Sequence, residues 1–272
     1  MKELETLSPV TPVRTLAGYI GGKRALSRKL VPMIAAIPHE CYVEPFVGLG
    51  GIFFRRDRRP KAEIINDISA DVSNLFRLLQ RHYQQLLDVL KWQITSRADF
   101  ERLVKVEPDT LTDLERAARF LFIQRLSFGG KVMGRTFGTS TTGPARFDLT
   151  KLVPLLEDVH ERLASVTIER LSYDRLIPRY DRLHTLFYLD PPYWGCTDDY
   201  GRSVFSEDDF ERLSSLLRTT KGRFILSIND VPEVREIFAW ASIEPVDLNY
   251  RISGKVTAAH ELIIRGPDSE GV

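Results

Sequence analysis

The sequence predicts an α/β fold carrying a mostly helical insert and a terminal β-hairpin, and three observations support that expectation. Short apolar, β-branched runs alternate with helical stretches at both ends of the chain, whereas the middle reads almost wholly helical. The first strand, turn and following strand have the layout of a nucleotide-binding βαβ unit. A Gly-, Ser- and Thr-rich stretch without helical period, residues 128–144, interrupts the helical middle and is long enough to expect a working loop.

Taken in order, residues 24–37 carry Leu26, Leu30 and Ile34 at helical spacing, with Pro32 inside. Residues 41–47 (CYVEPFV) read as a strand, 48–51 as a tight turn, 51–57 as a short helix and 62–67 as a second strand. From Asp71, the series Leu75, Leu78, Leu79, Leu86, Leu87 and Leu90 marks one long helix. Thr112 followed by Glu115 forms a capping box ahead of the apolar run 120–126, so another helix opens there. After the loop come a helix at 152–164, strands at 166–169 and 185–190, and a helix opened by Ser206 with three acidic residues in its first turn. A strand at 223–229, a helix at 233–240 and strands at 245–250 and 261–264 complete the second α/β half.

Composition narrows the function. Of 272 residues, 38 are Lys or Arg and 37 Asp or Glu, a formal net charge of +1, so affinity for a polyanion must come from local segregation of charge. Cys41 and Cys196 are the only cysteines and form no CxxC, which supports neither a disulfide framework nor a thiolate zinc site. Five histidines show no metal spacing, and no metal is assigned. No apolar run reaches the roughly 18 residues of a spanning helix, and the N-terminus lacks a signal-peptide core, so no membrane role and a cytoplasmic location are expected.

The sharpest chemical signal is Asp190-Pro191-Pro192-Tyr193 at the end of an apolar strand. Two prolines remove two N–H donors and stiffen the turn, leaving a carboxylate and carbonyls as acceptors. Acceptors without donors suit a planar exocyclic amine, whose lone pair is delocalised: the Asp190 carboxylate and Pro191 carbonyl can take its hydrogens while Tyr193 stacks on the ring. A second signal, Glu44-Pro45-Phe46-Val47-Gly48-Leu49-Gly50-Gly51, ends the first strand. Its glycines admit close backbone approach, although a purely structural turn reads equally well, and the pattern is not a Walker loop. Asp67 ends the second strand, where an acid commonly accepts from a ribose diol; capping the helix near Ser69 is the alternative. From Arg116 to Phe147 there are six basic residues (Arg116, Arg119, Arg125, Lys131, Arg135 and Arg146) and no acid, a segregation that suits a DNA-binding face or a solvated helix surface. The cluster Arg55, Arg56, Arg58, Arg59 and Lys61 reads first as surface solubility.

In this order the motifs resemble those of the Dam-type, alpha-group adenine-specific DNA methyltransferases. Tyr19-Ile20-Gly21-Gly22-Lys23 resembles the family's W-A-G-G-K, with Tyr19 in place of tryptophan, and Glu44 to Gly50 its E-P-F-x-G-x-G. Asn66-Asp67-Ile68 resembles its cofactor-ribose acid, Ser172-Tyr173-Asp174 a later adenine-side element, and Asp190 to Tyr193 its D-P-P-Y. Ser227-Ile228-Asn229-Asp230 and 259–263 are weaker echoes, and 124–130 only loosely follows the family's asparagine-and-glycine segment. The resemblance implies a Rossmann-like methyltransferase sheet, with a catalytic domain at 1–70 and 151–272 and a helical target-recognition insert at 71–150. It implies transfer of a methyl group from S-adenosylmethionine to the 6-amino group of adenine in double-stranded DNA, after base flipping; a monomer or weak dimer is expected. Tyr19, Lys23, Glu44, Phe46, Gly48, Asp67, Ile68, Ser172, Tyr173 and Asp190 would surround the cofactor, and Asp190, Pro191, Pro192 and Tyr193 the target base. Methylation of another planar amine, cytosine or a protein glutamine, and a catalytically silent DNA-binding module are the alternatives.

Overall fold

A computed structural model describes residues 7–19, 23–139, 142–196, 205–252 and 255–266. Its centre is a seven-stranded sheet in the order β5-β4-β2-β6-β7-β9-β8. The strands are β2 (Cys41–Glu44), β4 (Ala62–Asn66), β5 (Thr167–Glu169), β6 (Thr185–Leu189), β7 (Arg223–Asn229), β8 (Ser242–Ile252) and β9 (Lys255–Arg265). The first five in that order run parallel, and β9 returns antiparallel to β7 and pairs with β8. A separate short ribbon pairs β1 (Ser8–Pro9) with β3 (Arg58–Arg59). At the centre of the sheet all five residues of β6 are buried, as expected of a parallel strand covered on both faces. The chain passes from β2 outward to β4 and β5, then returns to β6 on the other side of β2. That reversal leaves a crevice outside the carboxyl ends of β2 and β6, where open α/β sheets bind ligands.

The helices are α1 (Ser27–Ala36), α2 (Ala70–Arg81), α3 (Tyr83–Leu90), α4 (Arg97–Lys105), α5 (Asp113–Leu126), α6 (Leu149–Leu163), α7 (Tyr173–Tyr180), α8 (Glu207–Arg218) and α9 (Pro232–Ile237). The capping box expected at Thr112 with Glu115 forms, and at Ser206, which opens α8, Asp209 Oδ2 accepts from the Ser206 N–H and hydroxyl. The long helix expected from Asp71 is instead two, because His82 leaves helical geometry at φ −131, ψ 38, ending α2 and opening α3. Helix α4 was not expected; Ser96 caps it and Phe100 is its single buried anchor, too weak a pattern to read. The short helix expected at 51–57 is one 3₁₀ turn at Phe53–Arg55, and the terminal hairpin strands run to eleven residues each.

Residues 71–150 lie in the crossover between β4 and β5. The proposed limits fall inside α2 and α6, and one apolar cluster joins Leu75 and Leu79 of α2, Leu121 of α5 and Leu156 of α6 to Tyr42, Ile65 and Leu186 of the sheet. The helical stretch therefore shares the core of the sheet.

Arg56 corrects the solubility reading of 55–61. It is 1% exposed and ion-paired to Glu63, whose carboxylate also takes two 2.7 Å hydrogen bonds from buried Arg162. Arg56 lies 3.7 Å from the centre of the Tyr42 ring and Arg162 lies 4.1 Å from that of Phe53. Burying two guanidiniums is tolerable only with such partners; removing Glu63 alone would cost about 3–5 kcal/mol.

Candidate active site

Asp190 follows the last residue of β6, at the mouth of the crevice. Asn229, closing the neighbouring strand β7, shapes the turn after it: its Oδ1 accepts from Trp194 N–H at 2.9 Å and its Nδ2 donates to the Trp194 carbonyl at 3.1 Å. Asp190 Oδ1 lies 3.0 Å from Lys23 Nζ and accepts from Ser227 Oγ at 3.4 Å. Oδ2 takes no hydrogen bond among the described residues. Only 21% of the side chain is exposed, and burial, outweighing the Lys23 ammonium, pushes the carboxyl up to about 6. Lys23 is itself buried, donates to the Tyr193 hydroxyl and to Glu261 Oε2 at 3.2 Å, and sits 4.3 Å from the Tyr193 ring centre.

The glycine turn after β2 forms the adjoining wall. Gly48 has φ +51, and a side chain there would come within 3.1 Å of the Tyr19 ring, so the turn and Tyr19 pack directly. Gly48 N–H donates to Asp67 Oδ2 and Ser69 N–H to Asp67 Oδ1, each at 2.9 Å. Burial pushes Asp67 up to about 6 against the pull of those two amides. The helix cap is Ser69, whose Oγ accepts from Val72 N–H. Next to it, the Asn66 amide ties three strand ends together, donating to Pro45 O and Leu171 O and accepting from Leu171 N–H. Glu44, 2% exposed, accepts from Tyr42 Oη at 2.7 Å, and burial drives its carboxyl up to about 8.

Ser172 is the N-cap residue of α7, and Tyr173 Oη donates to Asp209 Oδ1 at 2.8 Å. The Phe46, Tyr173 and Phe205 rings lie 5.6–5.9 Å apart and make an aromatic wall. A single cleft of about 1990 Å³ is lined by all ten residues expected around a cofactor (Tyr19, Lys23, Glu44, Phe46, Gly48, Asp67, Ile68, Ser172, Tyr173 and Asp190) and by Pro192. Pro191 is buried in the turn, and Tyr193 is turned to Lys23. Residues 20–22 of the N-terminal motif lie outside the described residues.

The acid-free stretch does not form one exposed basic face. Arg119 is 6% exposed, and its Nε donates to Leu103 O at 2.7 Å and Nη2 to Val104 O, which joins α5 to the end of α4. Arg116 is held at 2.6 Å by both Asp71 and Asp109, acids from outside the stretch. Arg125 donates to Leu16 O and Arg146 O and, with Arg146, lines the cleft. Past α5 the chain makes an irregular hairpin closed by Phe128 N–H to Thr136 O at 2.9 Å and Gly138 N–H to Leu126 O at 2.7 Å. Lys131 is exposed on it, whereas Arg135 is half-buried with Nη2 3.4 Å from Gln124 Oε1. Gln124 also donates to Gly18 O at 2.9 Å and Gly130 O at 2.8 Å, clamping the hairpin to the segment carrying Tyr19.

Asn66, Gln124, Ser227, Asn229 and Glu261 shape this site and are absent from the residues expected there. Gln124 had a signal, an uncharged polar residue following four apolar ones in the run 120–126. Asn229 and Glu261 had a weaker one, since both belong to the fainter echoes; they are register partners across β7 and β9.

A sequence model for the D12 class N6 adenine-specific DNA methyltransferases matches residues 19–252. A type II methyltransferase, M.CviBI, of Paramecium bursaria Chlorella virus NC1A is 23% identical over 206 residues, covering 74% of this chain and 78% of the relative. A DNA adenine methylase of Salmonella typhi is 24% identical over 228 residues, 79% of this chain and 81% of the relative. Among solved structures, a SAM-dependent O-methyltransferase of Thermotoga maritima aligns over 91% of this chain and 66% of its own, with a TM-score of 0.36 at 8% identity.

Proposed function

Because the chain belongs to the D12 class N6 adenine-specific DNA methyltransferase family, and so is an enzyme that methylates adenine in DNA, we propose that Asp190 receives the target amine and that S-adenosylmethionine occupies the glycine-turn side of the cleft. The observation that carries this reading is the uncommitted Oδ2 of Asp190, on a turn stripped of two amide donors, opening on a cleft that also holds Asp67 and Gly48.

The residues present fit that cofactor. Asp67 and Glu44 offer carboxyl oxygens for hydroxyl and ammonium donors, Gly48 leaves the turn without a side chain, and Phe46, Tyr19 and Tyr173 supply flat walls for a purine. When bound, S-adenosylmethionine supplies a methyl carbon on a cationic sulfur, which the amine lone pair attacks while the carbon–sulfur electron pair returns to sulfur. Asp190 accepts an N–H of the amine, localises its lone pair and receives the proton that the methylated nitrogen sheds. The Pro191 carbonyl is the second acceptor. Catalysis is then mostly positioning and aimed acceptors.

The cleft of about 1990 Å³ exceeds the roughly 300–1,000 Å³ usual for one small ligand. It has room for a base flipped out of the double strand beside the cofactor. Lys131, Arg135 and Arg146, with Arg125 at the cleft wall, face the DNA. The protein works as a monomer or weak dimer in the cytoplasm and needs no metal. Among the described residues no helix is long and apolar enough to cross a membrane.

The test is transfer of labelled methyl from S-adenosylmethionine to a duplex of mixed sequence, with digestion to nucleosides. N6-methyl-2′-deoxyadenosine product that vanishes in Asp190→Ala supports the reading; label on deoxycytidine, or undiminished product in the variant, overturns it.

A further inference from the structure

Buried Lys23 is held by three acceptors from two parts of the fold: Asp190 Oδ1 at 3.0 Å and the Tyr193 hydroxyl in the turn after β6, and Glu261 Oε2 at 3.2 Å on β9. An ammonium has three N–H donors, so the set matches its full donor capacity. Glu261 lies on β9, is 1% exposed, and contacts Lys23, which in turn contacts Asp190. We infer that Glu261 is a positioning residue: it holds the Lys23 ammonium on one oxygen of Asp190, so that the other oxygen stays open to the amine.

The argument is one of donor accounting. With Glu261 removed, one Lys23 donor is orphaned in a buried place, at a cost that draws it to another acceptor. The chemically equivalent replacement is Asp190 Oδ2, the atom the substrate amine needs. Charge acts in the same direction. Lys23 alone would make Asp190 a weaker base, and the second carboxylate offsets that pull. The groups facing Asp190 are Lys23 ahead of α1, Tyr193 in its own turn, Tyr188 of β6 through the Ser227 hydroxyl of β7, Glu44 of β2 and Glu261 of β9. Glu44 stands with its carboxyl up to about 8 and makes no contact with Lys23 among the described residues, whereas Glu261 contacts Lys23 directly at 3.2 Å.

This inference rests on the proposed role of Asp190, and two readouts keep the two apart. Protein labelled with ¹³C at aspartate carboxyls, with Asp190→Asn to assign the signal, reports the titration of Asp190 with no substrate present. Glu261→Gln should move that titration to lower pH; Glu261→Asp, which keeps the charge and shortens the reach, should leave it nearly in place. In single turnovers with saturating cofactor and duplex, both variants should lose about tenfold or more in rate, with cofactor affinity within about twofold of wild type. A rate within twofold of wild type, an unmoved Asp190 titration in Glu261→Gln, or two variants that fail to fold would each overturn the inference, the last by making Glu261 a core residue. Wild-type protein that methylates no adenine would instead remove the reading of Asp190, while the titration still reports what Glu261 does to it.

Discussion

Asp190 and Asp67 stand at the carboxyl ends of β6 and β4, the two strands that flank β2, and burial brings both up to about 6. Their oxygens are spent differently. Asp67 takes a backbone amide on each oxygen, from Gly48 and from Ser69, so its first task is to hold the glycine turn and the start of α2 in shape. Asp190 gathers both of its partners, Lys23 and Ser227, on Oδ1. Similar burial and acidity thus accompany two jobs, and what separates them is spare hydrogen-bonding capacity.

The comparison is tested most severely at Asp190. Asp190→Ala should lower the single-turnover rate by about a hundredfold or more while leaving DNA affinity within a fewfold, because one aimed acceptor is lost and the basic residues proposed to face the DNA lie elsewhere. Activity close to wild type would make the two carboxylates equivalent. The same residue predicts the pH dependence. With a carboxyl near 6, lowering the pH protonates Asp190 and removes its acceptor role, so the rate should be level above about pH 7 and fall toward tenfold per unit well below 6. An acid limb near 4 would mean that burial does not govern this group.

Asp67→Ala should weaken S-adenosylmethionine binding by about tenfold with little change in saturated turnover, as expected of a contact made equally in ground and transition states. Losing two amide hydrogen bonds to a carboxylate should also cost about 2 kcal/mol of stability, read by denaturant melts. Stability lost without affinity lost would leave Asp67 a staple only. The smallest effect concerns the arginines, where the same distinction holds between spent and spare donors. Arg135→Ala should weaken DNA binding and lower the salt slope by about one unit, whereas Arg119→Ala should destabilise the protein by about 1–3 kcal/mol and leave the slope unchanged. The reverse pattern in a salt series would exchange their roles.

Much of this arrangement was legible because it is local. The strands ending at Asn66 and Leu189, the capping box at Thr112, the helix start at Ser206 and the motif at Asp190 each depend on residues close in the chain. The rest depends on which segments become neighbours. Arg56 and Arg119 look like solvated cations until Glu63 of β4 and the carbonyls at the end of α4 are brought beside them. Asn66, Gln124 and Asn229 act by joining loops through backbone hydrogen bonds, and no spacing in the sequence announces which loops those are. The break at His82 is likewise invisible, since the leucine period continues across it while the backbone departs from the helix.

One close approach limits how this protein can change. A side chain at Gly130 would place its first carbon 2.8 Å from the Gly18 carbonyl carbon and the Tyr19 nitrogen, both main-chain atoms that cannot swing aside. At Gly129 and Gly134, by contrast, nothing among the described residues stands within 4 Å of the missing carbon. The hairpin is therefore held at Gly130 and again at Thr136 and Gly138, and the exposed stretch is its tip between them. Substitutions at the exposed tip residues Lys131 and Met133 can alter the outer surface while the Tyr19 wall stays put, so on the proposed reading the face toward DNA can change without rebuilding the cofactor side of the cleft.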